Sequence, residues 1–153
     1  MTDLLADYPI IYETDVVWGD MDAFQHVNNV VYFRYFESAR VHYFEHTRLL
    51  EVMKTSGIGP IVHSQNCRYR FPLSYPDRIQ VGVRIPGLGE DRFPMQYKLV
   101  SARKQVVAAE GETLVVMFDY GRNQKTQLPA SIRAAIAQVE GWALDGIPVW
   151  PAP

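Results

Sequence analysis

Two aspartates, a histidine and two asparagines stand close together in the stretch W-G-D-M-D-A-F-Q-H-V-N-N: Asp20, Asp22, His26, Asn28 and Asn29. An ionised carboxylate can attack an electrophilic carbon or take a proton from water. The imidazole of His26 can orient Asp22, touch a substrate carbonyl, or serve as an ordinary loop histidine. The paired amides stand where a long helix begins. A helix start offers free backbone N–H groups and a partial positive charge to a developing anion. Asp22 lies seven residues before Asn29, close enough for both to meet on one carbonyl. Asp20 reads as a structural residue that holds the loop through backbone N–H groups.

The element that must position these groups is an aromatic helix. Tyr32, Phe33, Phe36, Ala39, Tyr43 and Phe44 recur at three- and four-residue steps and draw one apolar stripe. From Asn29 to His46 such a helix would be about 27 Å long, enough to cross a small domain. Asn28 or Asn29 is suited to cap its start. Ahead of the loop, Ile10 to Gly19 reads as a strand. Residues 56–60 break the chain, and a strand from Pro60 to Phe71 follows with neither face cleanly apolar. That pattern suits a strand bordering a site or a subunit contact. On it, Ser64 and Asn66 read as ordinary strand polarity, with lining the site as the alternative.

Asp77 to Ile85 alternates strictly, with Ile79, Val81, Val83 and Ile85 on one face. A hairpin connection over 86–91 leads to strands at 92–103 and 106–120. Pro94 places the first of these at an edge or a bulge. Residues 121–127 are polar, and Pro129 starts a short helix through about Glu140. The tail, 140–153, should be irregular but partly packed around Trp142 and Trp150. The expected fold is α+β, an antiparallel sheet wrapped around one long central helix, in a single domain whose core runs from about 10 to 139.

The totals narrow the function. A length of 153 residues fits one domain with a real core. A net charge of −2 offers no polycationic field for nucleic acid. The lone Cys67 excludes an internal disulfide framework and suits a reducing compartment. The start has no basic n-region, and no apolar run approaches the ~20 residues of a membrane span. The expectation is a cytoplasmic protein with neither nucleic acid nor membrane as partner. His42 to His46 matches H-x-x-E-H, but a zinc peptidase needs a distant third ligand and a larger chain; it reads as the polar flank of the helix, and no metal is expected.

The motif 18–40, W-G-D-M-D-A-F-Q-H-V-N-N-V-V-Y-F-R-Y-F-E-S-A-R, resembles the signature of hotdog-fold acyl-CoA thioesterases of the 4-hydroxybenzoyl-CoA thioesterase type. That signature is roughly D-x-D-x-x-G-H-V-N-N-x-x-Y, followed by an aromatic helix with F-E-x-A-R. The likeness extends downstream through Asp119, Arg122, Leu128 and Pro129. One departure is Gln25, where the family commonly has glycine.

The resemblance implies a hotdog fold in a homodimer with sites at the subunit interface, often paired into a homotetramer. It also implies hydrolysis of an acyl-CoA, or of an acyl-carrier protein thioester, with no metal and no cofactor beyond the coenzyme A of the substrate. Asp22 would be the nucleophile or general base, and a backbone N–H at or near Asn29 the oxyanion donor. Glu37 is the rival carboxylate, since another branch uses a helix glutamate. The preferred reading of Glu37 is a buried glutamate paired with Arg40 or Arg34. Coenzyme A phosphates would call on Arg122, Lys125, Arg68 or Arg70. A hydratase on acyl thioesters and a non-catalytic acyl-thioester binding or sensing module are the alternatives. The acyl group is left open between benzoyl-type, medium-chain and long-chain.

Overall fold

The structure, a computed structural model, describes residues 3–153. Its spine is helix α1, Asn29–Glu45. The Asn28 side chain caps it by accepting the Val30 N–H at 3.0 Å. Around the spine curls an antiparallel sheet of β1 (Ile10–Asp15), β2 (Ile58–Tyr69), β3 (Arg78–Arg84), β4 (Arg92–Ser101) and β5 (Val106–Asp119). The strand order is β1-β3-β4-β5-β2, with a short β6 (Gln124–Lys125) added to β5. Helix α2 (Leu49–Ser56) follows α1 directly, and α3 (Ala130–Glu140) follows the sheet.

The alternation of β3 does what its pattern dictates: Ile79, Val81, Val83 and Ile85 are buried. Phe93, Met95, Tyr97 and Leu99 of β4 join them, with Ala109, Thr113, Val115 and Met117 of β5. The stripe of α1 meets this face. Phe36 stacks on Tyr97 with ring centroids 4.6 Å apart. The approach needs a glycine, because a Cβ at Gly111 would come within 2.5 Å of the Phe36 ring and 2.6 Å of the Asn66 carbonyl oxygen. Val31 and Tyr35 are buried as well, so the sheet and the loops enclose more of α1 than a single stripe.

Four expectations need correction. The first strand ends at Asp15, and Trp18–Asp20 form one 3₁₀ turn. Helix α2 lies ahead of the break at 56–60, in a stretch where no element was expected; it buries Leu49 alone, and ends at Gly57 in the left-handed region. Residues 124–125 pair with β5 as β6, inside the segment read as merely polar. Pro94 lies in an interior strand. However, β3 ends opposite Gln96, so Pro94 sits beyond the stretch of β4 paired on that side, where a missing N–H costs no ladder bond.

Two buried polar groups tie α1 to its surroundings. Arg40 donates to the Tyr97 hydroxyl (3.1 Å) and the Thr113 Oγ1 (3.4 Å). At the other end, the Tyr43 hydroxyl donates to Glu140 Oε2 at 2.5 Å, and the Ile85 N–H donates to the same oxygen at 3.2 Å. Burial pushes the Glu140 carboxyl above its ordinary value of 4.5, against the pull of these two donors. The folded chain therefore holds this proton more tightly than the unfolded chain does. The contribution of Glu140 to stability is full below about pH 4.5 and is lost as pH rises through its folded titration. Glu140→Gln keeps an acceptor for both donors and removes the charge. Urea midpoints followed upward from acid pH should decline for the wild type, and this part of the decline should vanish in Glu140→Gln.

Candidate active site

The loop 21–28 is a closed structure. A bridge between Met21 and Val27 pins its ends. Within it, the Asp22 N–H donates to the His26 carbonyl (2.9 Å) and the Gln25 N–H to the Asp22 carbonyl (3.0 Å). Gln25 has φ = 63°, so the conformation a glycine would favour is kept without one. Holding a side chain there costs about 1–2 kcal/mol. Asp20 holds the loop differently from expectation: its carboxylate takes Arg34 of α1 at 2.6 Å, and only its backbone carbonyl takes an N–H, from Asn28.

Asp22 is half-buried. Its Oδ1 accepts the Phe24 N–H at 2.9 Å, and among the described residues its Oδ2 accepts no hydrogen bond. One carboxylate oxygen is thus fixed by the loop and the other is free.

Beside the loop, at the start of α1, lies a cavity of about 280 Å³. Its wall includes His26, Asn29, Tyr32, Tyr69, Arg70 and Phe71. The cap on Val30 leaves the Asn29 N–H without an acceptor among the described residues. The Tyr69 hydroxyl donates to the Asn29 carbonyl at 3.0 Å, and the Leu73 N–H donates to the Tyr32 hydroxyl at 3.2 Å. Burial raises both phenols, which keeps them neutral donors. Asp22 is not in this wall; it is joined to His26 by the backbone bond above. Tyr69 and Phe71 were not anticipated as site residues. Their signal was a strand without an apolar face that nonetheless ended in aromatics.

The remaining predicted residues divide by place. Glu37 opens on a separate cavity of about 290 Å³, with Val30, Phe33, Arg40, Val62 and Gln65. It is exposed and pairs with neither arginine, contrary to expectation, because Arg34 is taken by Asp20 and Arg40 by the two hydroxyls of β4 and β5. Arg70 stands at the cavity on the α1 start, and Arg68 two residues before it on β2. Arg122 and Lys125 are not brought to this cavity. Arg122 pairs with Asp119, which lies opposite Ile58 at the far end of β2. That is roughly 36 Å along the strand from Tyr69. His42 and His46 are neighbours with ring centroids 5.0 Å apart, and among the described residues no third ligand joins them. No helix among the described residues is long and apolar enough to cross a membrane.

Residues 16–136 match the family described as the thioesterase-like superfamily. The PA2801 protein of Pseudomonas aeruginosa has a similar structure at 34% identity and a TM-score of 0.75, over 85% of this chain and 99% of its own. A thioesterase of Thermus thermophilus solved with coenzyme A and zinc is 30% identical with a TM-score of 0.76, over 90% of this chain and 99% of its own. A relative in Aquifex aeolicus is 27% identical, over 74% of this chain and 88% of its own.

Proposed function

The chain belongs to the thioesterase-like superfamily, with the hotdog fold of a thioester hydrolase, and from that premise we propose that it hydrolyses an acyl-CoA to the free acid and coenzyme A. The observation that carries this reading is the unpaired Asn29 N–H in the wall of a cavity at the start of α1, beside a loop whose Asp22 keeps one carboxylate oxygen free.

A thioester carbonyl is already activated, so a modest catalyst suffices. Its oxygen accepts the Asn29 N–H, where the partial charge of the helix start favours the oxyanion. Asp22 Oδ2 either removes a proton from a water that attacks the carbonyl carbon, or attacks that carbon itself to form a mixed anhydride that water then hydrolyses; in both the thiolate leaves and takes up a proton as coenzyme A. His26, in the cavity wall and bonded through its carbonyl to the Asp22 N–H, holds the loop that presents Asp22. Tyr32, Tyr69 and Phe71 give the acyl group an apolar wall. Arg70, with Arg68, reaches toward the carrier.

A homodimer belongs to the same reading. Trp18, Phe24 and Val30 around the loop are 72%, 82% and 68% exposed in a single chain. Among the described residues the outer edge of the 12-residue β2 is unpaired. Such bare apolar groups and a long free edge fit burial against a second copy.

The test is release of free thiol from a panel of aryl, medium-chain and long-chain acyl-CoAs. Turnover of at least one panel member is the expected result. Binding of acyl-CoA without turnover would replace the enzyme with an acyl-thioester sensor.

A further inference from the structure

A second cavity, of about 470 Å³, lies where the connection from β3 to β4 meets the start of α3 and the C-terminal tail. It is at the other end of the sheet from the thioester cavity: Arg92 beside it pairs with Val116 of β5, whereas Tyr69 pairs with Ala109. The tail closes it as a strap. The Leu88 N–H donates to the Pro148 carbonyl (2.9 Å), and the Trp150 N–H donates to the Leu88 carbonyl (3.1 Å). Glycines flank Leu88 because the strap runs close. A Cβ at Gly87 would come within 3.0 Å of the Pro148 carbonyl oxygen, and one at Gly89 within 3.0 Å of the Trp150 carbonyl oxygen. The Gly89 N–H donates to the Arg92 carbonyl, and the Leu128 N–H to the Glu90 carbonyl, both at 2.8 Å. Arg133 Nη1 donates to the Gly89 carbonyl at 2.8 Å. The rim 88–90 is thus pinned by the tail, by β4, by the residues before α3 and by α3 itself. Val149 and Trp150 of the wall lie beyond residues 16–136, so a segment outside the family match completes this cavity.

The wall combines apolar surface with one cation and one anion. Leu88 and Leu128 are buried beneath it, and Val149 and Trp150 stand on the strap side. Arg133 and Glu90 carry the charges, and among the described residues neither forms an ion pair, with the other or with anything else. Arg133 gives one N–H to the Gly89 carbonyl and keeps the rest of its fork without an acceptor among the described residues. A plain carboxylate would satisfy Arg133 and be repelled by Glu90; a plain amine would do the reverse. A molecule that carries both charges beside an apolar group satisfies every part of the wall. We propose that this cavity binds an α-amino acid with an apolar side chain. Its carboxylate lies on Arg133, its ammonium on Glu90, and its side chain against Leu88, Leu128 and Trp150. The site stands apart from the thioester cavity and does not rest on the acyl-CoA reading.

The test is calorimetric titration of the full chain with L-leucine, L-methionine, L-phenylalanine and L-tryptophan. At least one should bind, at one site per chain. Its N-acetyl form lacks the ammonium and its amide lacks the carboxylate. Each should bind about tenfold more weakly, the loss expected for one charged hydrogen-bonding partner. Glu90→Gln should weaken the free amino acid about tenfold and leave the N-acetyl form unchanged. Arg133→Gln should weaken the free amino acid and leave the amide unchanged. Glu90 is exposed and its side chain makes no hydrogen bond among the described residues, so Glu90→Gln folds as the wild type does. That variant decides the outcome even if Arg133→Gln loosens the rim. No binding by any of the four, or an N-acetyl form that binds as tightly as the free amino acid, would overturn the proposal. Full affinity in Glu90→Gln would overturn it as well. So would competition between the amino acid and an acyl-CoA, which would seat the amino acid in the thioester cavity.

Discussion

Asp22→Asn is expected to lower kcat by about 10²–10⁴-fold, the range for removing a positioned acid–base group, and by more if the carboxylate is the nucleophile. The substitution is nearly isosteric. The asparagine oxygen can still accept the Phe24 N–H that Asp22 Oδ1 accepts at 2.9 Å, so the loop keeps its turn. The backbone bond from residue 22 to the His26 carbonyl is untouched. What disappears is the negative charge on the free oxygen. Substrate affinity should survive, because the cavity wall of His26, Asn29, Tyr32 and Tyr69 does not include Asp22. The measurement is kcat under saturating substrate, with ligand affinity determined separately. Glu37→Gln belongs beside it. Glu37 opens on another cavity, so its loss should leave turnover close to that of the wild type. The opposite pattern, with Asp22→Asn active and Glu37→Gln dead, would move the catalytic carboxylate onto the helix.

Asn29→Pro should lower kcat by about 10²–10³-fold, the cost of one lost oxyanion donor. Asn29→Ala should cost little. The pair isolates the backbone from the side chain. Asn29 is the first residue of α1, and proline is tolerated at that position because its N–H makes no helix bond. Asn28 precedes it with φ −57° and ψ 137°, an extended conformation that a following proline accepts. Proline therefore puts a ring methylene in place of the donor hydrogen while the helix persists. Circular dichroism should report unchanged helix content in both variants. Equal activity in the two would show that this amide does not hold the oxyanion.

The parts of the fold that sequence alone revealed were those where a period repeats over bulky residues. The aromatic steps of α1 and the strict alternation of β3 are such signals; the β3 face is buried as expected, and so is the α1 stripe apart from the half-buried Phe33. Helix α2 carries too weak a signal, with one buried residue in eight. The buried Arg40 is a different kind of case. It is neutralised by no neighbour in sequence; its partners Tyr97 and Thr113 are 57 and 73 residues away. A pairing with Glu37, three residues away, is what local spacing suggests; the hydroxyls of the sheet satisfy it instead.

The same holds at the site. Asp22, His26 and Asn29 can be grouped as candidates from the sequence because they lie in one short loop and the helix it feeds; the structure puts His26 and Asn29 on one cavity and Asp22 outside its wall. The aromatic wall from Tyr69 and Phe71 comes from the end of β2 and the residues just past it, some 40 residues on, as the bond from Tyr69 to Asn29 spans. Grouping Arg122 and Lys125 with Arg68 and Arg70 ignored the antiparallel pairing of β2 with β5. That pairing puts Arg68 opposite Glu110 and Ile58 opposite Asp119, so the two pairs of cations stand at opposite ends of one ladder.

The most direct measurement is a crystal structure of Asp22→Asn with an intact acyl-CoA in place. The thioester oxygen should lie about 3 Å from the Asn29 nitrogen, with residue 22 turned toward the carbonyl carbon. A thioester seated beside Glu37, in the cavity between α1 and β2, with the Asn29 N–H left to solvent, would contradict the assignment.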